Sequence, residues 1–258
     1  AHQIIFNKNA KILMRKFYFI QSLKTTDPDL GNQIHTHISK KSQSEFFDVK
    51  NRQGLFDKLD FISSELEKNK ELDGIIHFHT HGNEKGIGLY DNENKLEFAS
   101  WKDLRPKFRN IYLSTSKKPM LSICACKGFN ISRLVPRFEP CPYDYITGSF
   151  DPIGFVDSVE GYKTFYDGIL NGIDLSDNIK NINTNFPKMN FACFSSDQIF
   201  EIAIHAYKNA EMVPDRIKRR RNELENIIIK EFGYVNIQQK ILLDFALSEQ
   251  GTKYYLEK

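Results

Sequence analysis

Hydrophobic and polar positions along the chain follow two periods that alternate with each other. Lys16–Leu23 (KFYFIQSL) is aromatic and β-branched enough to predict a first strand. From Thr25 to Arg52 the chain turns polar, with Asp27-Pro28 and Gly31-Asn32 as turn signals. This stretch reads as an irregular excursion holding one short strand around Glu45-Phe46-Phe47. Leu55, Phe56, Leu59, Ile62 and Leu66 then recur at helical spacing.

The middle of the chain repeats this exchange. Gly74–His79 predicts a buried strand leading into His81-Gly82, and Gly86–Tyr90 with Lys95–Ala99 predicts a hairpin whose tip is Asp91-Asn92-Glu93-Asn94. Trp101–Leu113 has helical spacing, with a proline at Pro106 able to divide it. Met120–Cys124 predicts a second short buried strand, followed by a helix over Asn130–Leu134. Tyr143–Phe150 and Met189–Phe194 predict further strands, and Phe155–Leu170, Leu175–Ile182, Asp197–Tyr207, Asp215–Phe232 and Ile237–Leu247 predict helices. Strands alternating with helices favour an α/β fold in three layers, with a mostly parallel central sheet of about six strands. The last stretch looks purely helical. The expected division is a main domain over residues 1–212 and a helical C-terminal extension over 213–258.

Composition narrows the class without naming a function. Hydrophobic residues make up 40% and charged residues 27% of 258 positions, ordinary for a globular protein. A net charge of +3 gives no general argument for nucleic-acid binding. No apolar run approaches the roughly 18 residues of a membrane span, and no secretory leader pattern opens the chain. The four cysteines, Cys124, Cys126, Cys141 and Cys193, are too few for a disulfide framework. The expectation is a reducing, cytoplasmic compartment with at least one chemically active thiol. The basic run Lys218-Arg219-Arg220-Arg221 precedes Glu223 and Glu225, so pairing at i,i+4 predicts a solvated helix face.

Two segments carry candidate chemistry: Ile75-Ile76-His77-Phe78-His79-Thr80-His81-Gly82 and Met120-Leu121-Ser122-Ile123-Cys124-Ala125-Cys126-Lys127-Gly128. Each is a buried-strand pattern running into a reactive side chain with glycine close behind. In open parallel sheets, sites form just beyond the C-terminal ends of strands. If the two strands are neighbours, His81 and Cys126 emerge side by side. A thiol nucleophile needs such an imidazole to take its proton and later to protonate a leaving amine. Glycine beside the histidine lets backbone approach a substrate closely.

At these residues the sequence resembles the caspase-like cysteine peptidase clan, in which one apolar strand ends in His-Gly and a second in Ala-Cys-x-Gly. Caspases carry Gln-Ala-Cys, then Arg, Gln or Gly, then Gly, with the histidine about 50 residues upstream. Here the string is Cys124-Ala125-Cys126-Lys127-Gly128, and His81 lies 45 positions upstream. The form of the first segment, Trp101-Lys102-Asp103-Leu104 between the motifs, and Tyr145-Ile146-Thr147-Gly148 followed by Phe165-Tyr166 are most similar to the bacterial CHAT branch. The resemblance spans roughly Phe17 to Asn183. It implies His81 as general acid/base, Cys126 as nucleophile, and the backbone N–H groups of Gly82 and Cys126 as the oxyanion hole. It implies neither metal nor organic cofactor, and no third catalytic carboxylate. It further implies a protein substrate and a regulatory or sensor partner, in antiviral defence or regulated death. The sequence departs from the pattern at Cys124, where caspases have Gln and some relatives Asp or Glu facing the P1 pocket. Asp151 and Asp157, after the next strand, are the other candidates for that pocket.

Two rival readings stand beside this one. His77, His79 and His81 alternate along one strand and could share a face as a zinc cluster, with Cys126 or Asp151 recruited, in a zinc-dependent hydrolase. Alternatively, the chain keeps the fold as a catalytically silent interaction module. His35 and His37, in the polar excursion, are expected at the surface.

Overall fold

The first aromatic run forms β1 (Arg15–Ser22), whose alternate side chains serve two layers. Phe17 and Phe19 enter one hydrophobic core. Lys16 turns to the opposite face and bridges Glu45 and Glu65 at 2.6 and 2.8 Å. The computed structural model describes residues 15–126, 128, 130–131, 141–149, 154–211 and 213–248.

Among the described residues, six strands form the central sheet: β2 (Gln43–Asp48), β1, β3 (Asp73–Asn83), β6 (Met120–Cys124), β7 (Tyr145–Ser149) and β8 (Phe191–Ser195), in that spatial order. All neighbours are parallel except β7 and β8. The architecture is therefore α/β with a mostly parallel sheet. β4 (Gly86–Tyr90) and β5 (Leu96–Ser100) form the hairpin and attach to the end of β3.

The polar excursion after β1 is more regular than its composition suggests. It contains α1 (Leu30–Ile38) as well as β2. Leu30, Ile34 and Ile38 recur every fourth residue and are all buried, so a narrow apolar stripe suffices to dock the helix. Of its histidines, His37 is half-buried and pairs with Asp167 of α4 (Phe155–Leu170) at 2.9 Å. The His35 ring lies between Phe19 and Phe46, at 5.6 and 5.5 Å from their ring centres.

Helices cover both faces. Residues of α1, α4 and α5 (Leu175–Asn185) share a core with Phe17, Phe19, Ile75 and Cys124. Tyr162, Phe165 and Tyr166 fill its centre. On the other face lie α2 (Arg52–Lys68) and α3 (Trp101–Ser114), with Phe108 of α3 against Phe78 of β3 at 5.9 Å. Asn51 caps α2 through Gly54 N–H, and Ser100 with Asp103 forms a capping box on α3. Each such cap stabilises its helix by about 1 kcal/mol. α3 runs undivided through Pro106; the missing proline N–H leaves one helical hydrogen bond unmade without ending the helix.

The chain separates into two compact units, Ala1–Ser196 and Asp197–Lys258. The second is helical, with most of α6 (Ser196–Glu211), α7 (Pro214–Phe232) and α8 (Ile237–Ala246). Within it, Arg219 pairs with Glu223 and Arg221 with Glu225, as the i,i+4 spacing predicts, and Arg221 also reaches Asp244. Among the described residues, no helix is long and apolar enough to cross a membrane.

Candidate active site

The site follows from how β3 ends. Through Thr80 it pairs with β1, but from His81 to Asn83 it pairs antiparallel with β4. The main-chain N–H of Tyr90, the last residue of β4, donates to Ser22 Oγ at 2.9 Å, so β4 begins its pairing where β1 stops. On its other side β3 pairs with β6 in parallel register, ending with His79 opposite Cys124. Two residues further on stand His81 and Cys126.

The contact between the strand ends continues past the last ladder pair. A methyl group on Gly82 would lie 3.0 Å from Ala125 Cβ and 3.2 Å from the Cys126 carbonyl oxygen. Only a glycine backbone comes this close without displacing its neighbour. After Cys126 the chain turns sharply, with Gly128 N–H donating to Ala125 O at 3.0 Å. A side chain on Gly128 would strike Ile123 Cγ2 in β6. The two glycines of the sequence motifs thus serve one end: they let both chain segments close around the thiol. Cys126 itself is exposed.

His81 has a partner for which the sequence offered no sign. Its Nε2 lies 2.8 Å from Asp27 Oδ2, with side-chain exposures of 37% for His81 and 16% for Asp27. A carboxylate only accepts, so Nε2 carries the hydrogen and Nδ1 is the open nitrogen of the neutral ring. Partial burial works to raise the Asp27 pKa. The hydrogen bonds from His81 and Lys24 N–H and the charges of both residues outweigh it, holding the carboxyl below its ordinary value. The Tyr90 ring meets the His81 ring edge-on at 5.4 Å.

The other two histidines of β3 belong to the core. His77 Nδ1 meets Tyr166 Oη at 2.8 Å, and Tyr166 Oη donates to Ser122 Oγ at 2.7 Å. Burial pushes the His77 imidazole well below its ordinary pKa, helped by His79. His79 Nε2 faces Cys124 Sγ at 3.9 Å. Thus the three side chains share a strand face, but His77, His79 and His81 each turn a nitrogen to a different partner. Among the described residues, no group of three or more His, Cys, Asp or Glu side chains is arranged to hold a metal ion.

The residues nominated for substrate binding are dispersed. Cys124 is buried, and burial pushes its thiol up to about 12 despite a hydrogen bond with Ser158. Asp157 sits in the first turn of α4, half-buried, beside that serine. Asp151 and most of the helix expected over Asn130–Leu134 lie outside the described residues. The structure therefore packs Gly82 against Ala125 and Cys126, pairs the adjacent His81 with Asp27, and sets Cys124 in the interior.

No protein family matches the chain, and no curated protein is similar to it at a significant level.

Proposed function

We propose that the chain is a cysteine endopeptidase of caspase-like, CHAT-type character that cleaves a protein substrate with His81 and Cys126. The observation that carries this reading is the close approach of the β3 and β6 ends, where Gly82 packs on the Cys126 carbonyl and the thiol of Cys126 is exposed. The asymmetry between the two thiols supports it further: the exposed Cys126 follows a buried Cys124 that keeps its proton.

In this mechanism the Cys126 Sγ proton passes to His81 Nδ1. The thiolate attacks the scissile carbonyl carbon, and the N–H groups of Gly82 and Cys126 receive the oxyanion. As the C–N bond breaks, His81 returns the proton to the leaving amine. Water, deprotonated by His81, then attacks the thioester and releases the acid, restoring the thiol. No step calls on a metal or organic cofactor. A thiol nucleophile of this kind suits a reducing cytoplasm, and a single dedicated substrate released to it by a regulatory or sensor partner suits the CHAT-like character. Antiviral defence is the role we propose on that basis.

The test is a peptide-library digest read by mass spectrometry, wild type against Cys126→Ala, with and without extract from the source cells. Cleavages present only in the wild type are expected. Identical digests under both conditions would sink the proposal.

A further inference from the structure

The loop between β1 and α1 is held in place by contacts that converge on His81. Asp27 Oδ2 accepts from Lys24 N–H at 3.1 Å as well as from His81 Nε2. Asp27 N–H returns to Lys24 O at 3.0 Å, closing a tight turn. Pro28 follows and restricts the backbone. Beyond it, Asp29 accepts from Gln21 Nε2 at 2.7 Å, and Gln21 Oε1 accepts from Gly31 N–H at 2.8 Å.

The same loop is clasped from above by the tip of the β4–β5 hairpin. Asn94 Oδ1 accepts from Thr25 N–H at 2.7 Å, and Asn94 Nδ2 donates to Thr25 Oγ1 at 2.9 Å. Asn94 can reach because its backbone is left-handed, φ 62°, a conformation asparagine tolerates better than most residues. Asp91 Oδ1 pins that tip by accepting from Glu93 N–H and Lys95 N–H. A single residue separates Thr25, which the hairpin grips, from Asp27, which grips the imidazole.

We infer that Asp27 is the positioning residue for His81, and that the Asn94–Thr25 clasp holds it in place, so the hairpin tip governs whether the site is assembled. This rests on the cysteine peptidase reading and adds to it a carboxylate and a point of control. Asp27 keeps the hydrogen of His81 on Nε2, which leaves Nδ1 as the nitrogen that accepts a proton. It also stabilises the imidazolium formed when Cys126 gives up its proton. Anything that lifts the hairpin tip, such as a protein partner docking there, withdraws that support.

The experiment reads the rate of Cys126 alkylation by iodoacetamide against pH, together with kcat/KM for any substrate found. The charged and titratable groups that face His81 and its partner Asp27 are Lys24 of the loop, His79 of β3 and Tyr90 of β4, with Asp29 acting on His79. Asp27→Asn keeps the shape but removes the charge, and is expected to move the midpoint of the alkylation profile upward by about one pH unit or more. It should lower kcat/KM about 100-fold with little change in KM. Asn94→Gly keeps the left-handed backbone and deletes only the clasp. It should move the profile in the same direction by less, and Asn94→Asp, which retains the acceptor, should restore most of it. In a His81→Ala background, Asp27→Asn should have no further effect. Asp27→Asn with a wild-type profile and wild-type kcat/KM would overturn the inference while leaving the peptidase reading intact. A wild type that cleaves nothing, yet shows the Asp27-dependent profile, would overturn the peptidase reading and leave the inference standing.

Discussion

His79 Nε2 and Cys124 Sγ face each other at 3.9 Å inside the sheet, two residues short of His81 and Cys126 on the same pair of strands. The same 45-residue spacing thus sets two histidine–cysteine pairs along these segments, His79 with Cys124 and His81 with Cys126. Burial separates them. Burial first, and then the nearby His81, push His79 down to about 4, while burial pushes the Cys124 thiol up to about 12. Proton transfer from sulfur to nitrogen is uphill across that gap, so the inner pair is neutral and inert. The outer pair has an exposed thiol and an imidazole paired with Asp27.

Iodoacetamide should therefore modify the native protein rapidly at Cys126 alone. Cys124, buried in the core, should react only after denaturation, and Cys193, half-buried with its thiol pushed up to about 12 by burial, should react slowly. Cys141, half-buried with its pKa raised by burial, should lag well behind Cys126. Peptide mapping of the alkylated protein, with and without urea, measures this. Native labelling of Cys124 as fast as Cys126 would contradict the assignment of the inner pair as buried.

The two glycines at the strand ends should differ in what they protect. Alanine at Gly82 needs the Ala125 and Cys126 backbone to move by a few tenths of an ångström. Gly82→Ala should fold, with cleavage slowed at least ~10-fold, because small displacements at a reacting centre are costly. Alanine at Gly128 runs into Ile123 of β6 and should lower stability as well as activity. Unfolding midpoints beside cleavage rates distinguish the two.

Much of this architecture was legible in the sequence, and the gaps have physical causes. Phe155–Leu170 is a helix over the range its apolar spacing predicts, and the β4–β5 hairpin turns at its polar tip. Such elements announce themselves because each buries a wide apolar face. The helix α1 did not, since three buried aliphatic side chains among Gly, Asn, Gln, His and Thr resemble a loop. The placement of His81 and Cys126 at strand ends was readable from two apolar runs that stop beside glycine. Asp27 was not readable, because 54 positions separate it from His81 and an Asp-Pro pair signals only a turn. A carboxylate just past the end of the neighbouring strand is visible as a partner only once β1 is known to lie beside β3. The apolar run Met120–Cys124 placed Cys124 in a buried strand, but its role did not follow: Cys124 ends the strand inside the core, where the motif suggested a pocket wall.

The buried polar cluster beneath the site should carry measurable stability. Tyr166 Oη serves both His77 Nδ1 and Ser122 Oγ, with no solvent to replace it. Tyr166→Phe leaves two buried polar groups short of a partner and should lower stability by about 1–3 kcal/mol. Tyr162→Phe, which removes the hydroxyl that donates to the Ile123 carbonyl, should act in the same direction. Equilibrium urea unfolding measures both, and a Tyr166→Phe protein as stable as the wild type would contradict the role given to the hydroxyl.

Acid should weaken the larger unit above the range in which Asp27, Asp103 and Asp167 take up protons. His79 is held at about 4 in the folded protein against 6.5 for the free side chain, so between those values the unfolded chain binds the extra proton. The stability this neutral histidine represents is fully present above pH 6.5 and is lost as pH falls toward 4. The slope is about 1.4 kcal/mol per pH unit, and the total loss is on the order of 3 kcal/mol. His77, depressed for the same reason of burial, adds to the loss with the same sign. Asp27, Asp103 and Asp167 are all held below their ordinary 3.8, so their contributions are lost only at lower pH. Trp101, the single tryptophan, is buried in α3 and reports on this unit alone. Urea unfolding followed by its fluorescence at several pH values between 7 and 4 should show the decline. His79→Leu, which places an apolar group against Cys124, should flatten the slope whatever its effect on stability at pH 7. A wild-type stability that stays level from pH 6.5 to 4 would mean that His79 is solvated, and the inner pair would lose its claim to be inert.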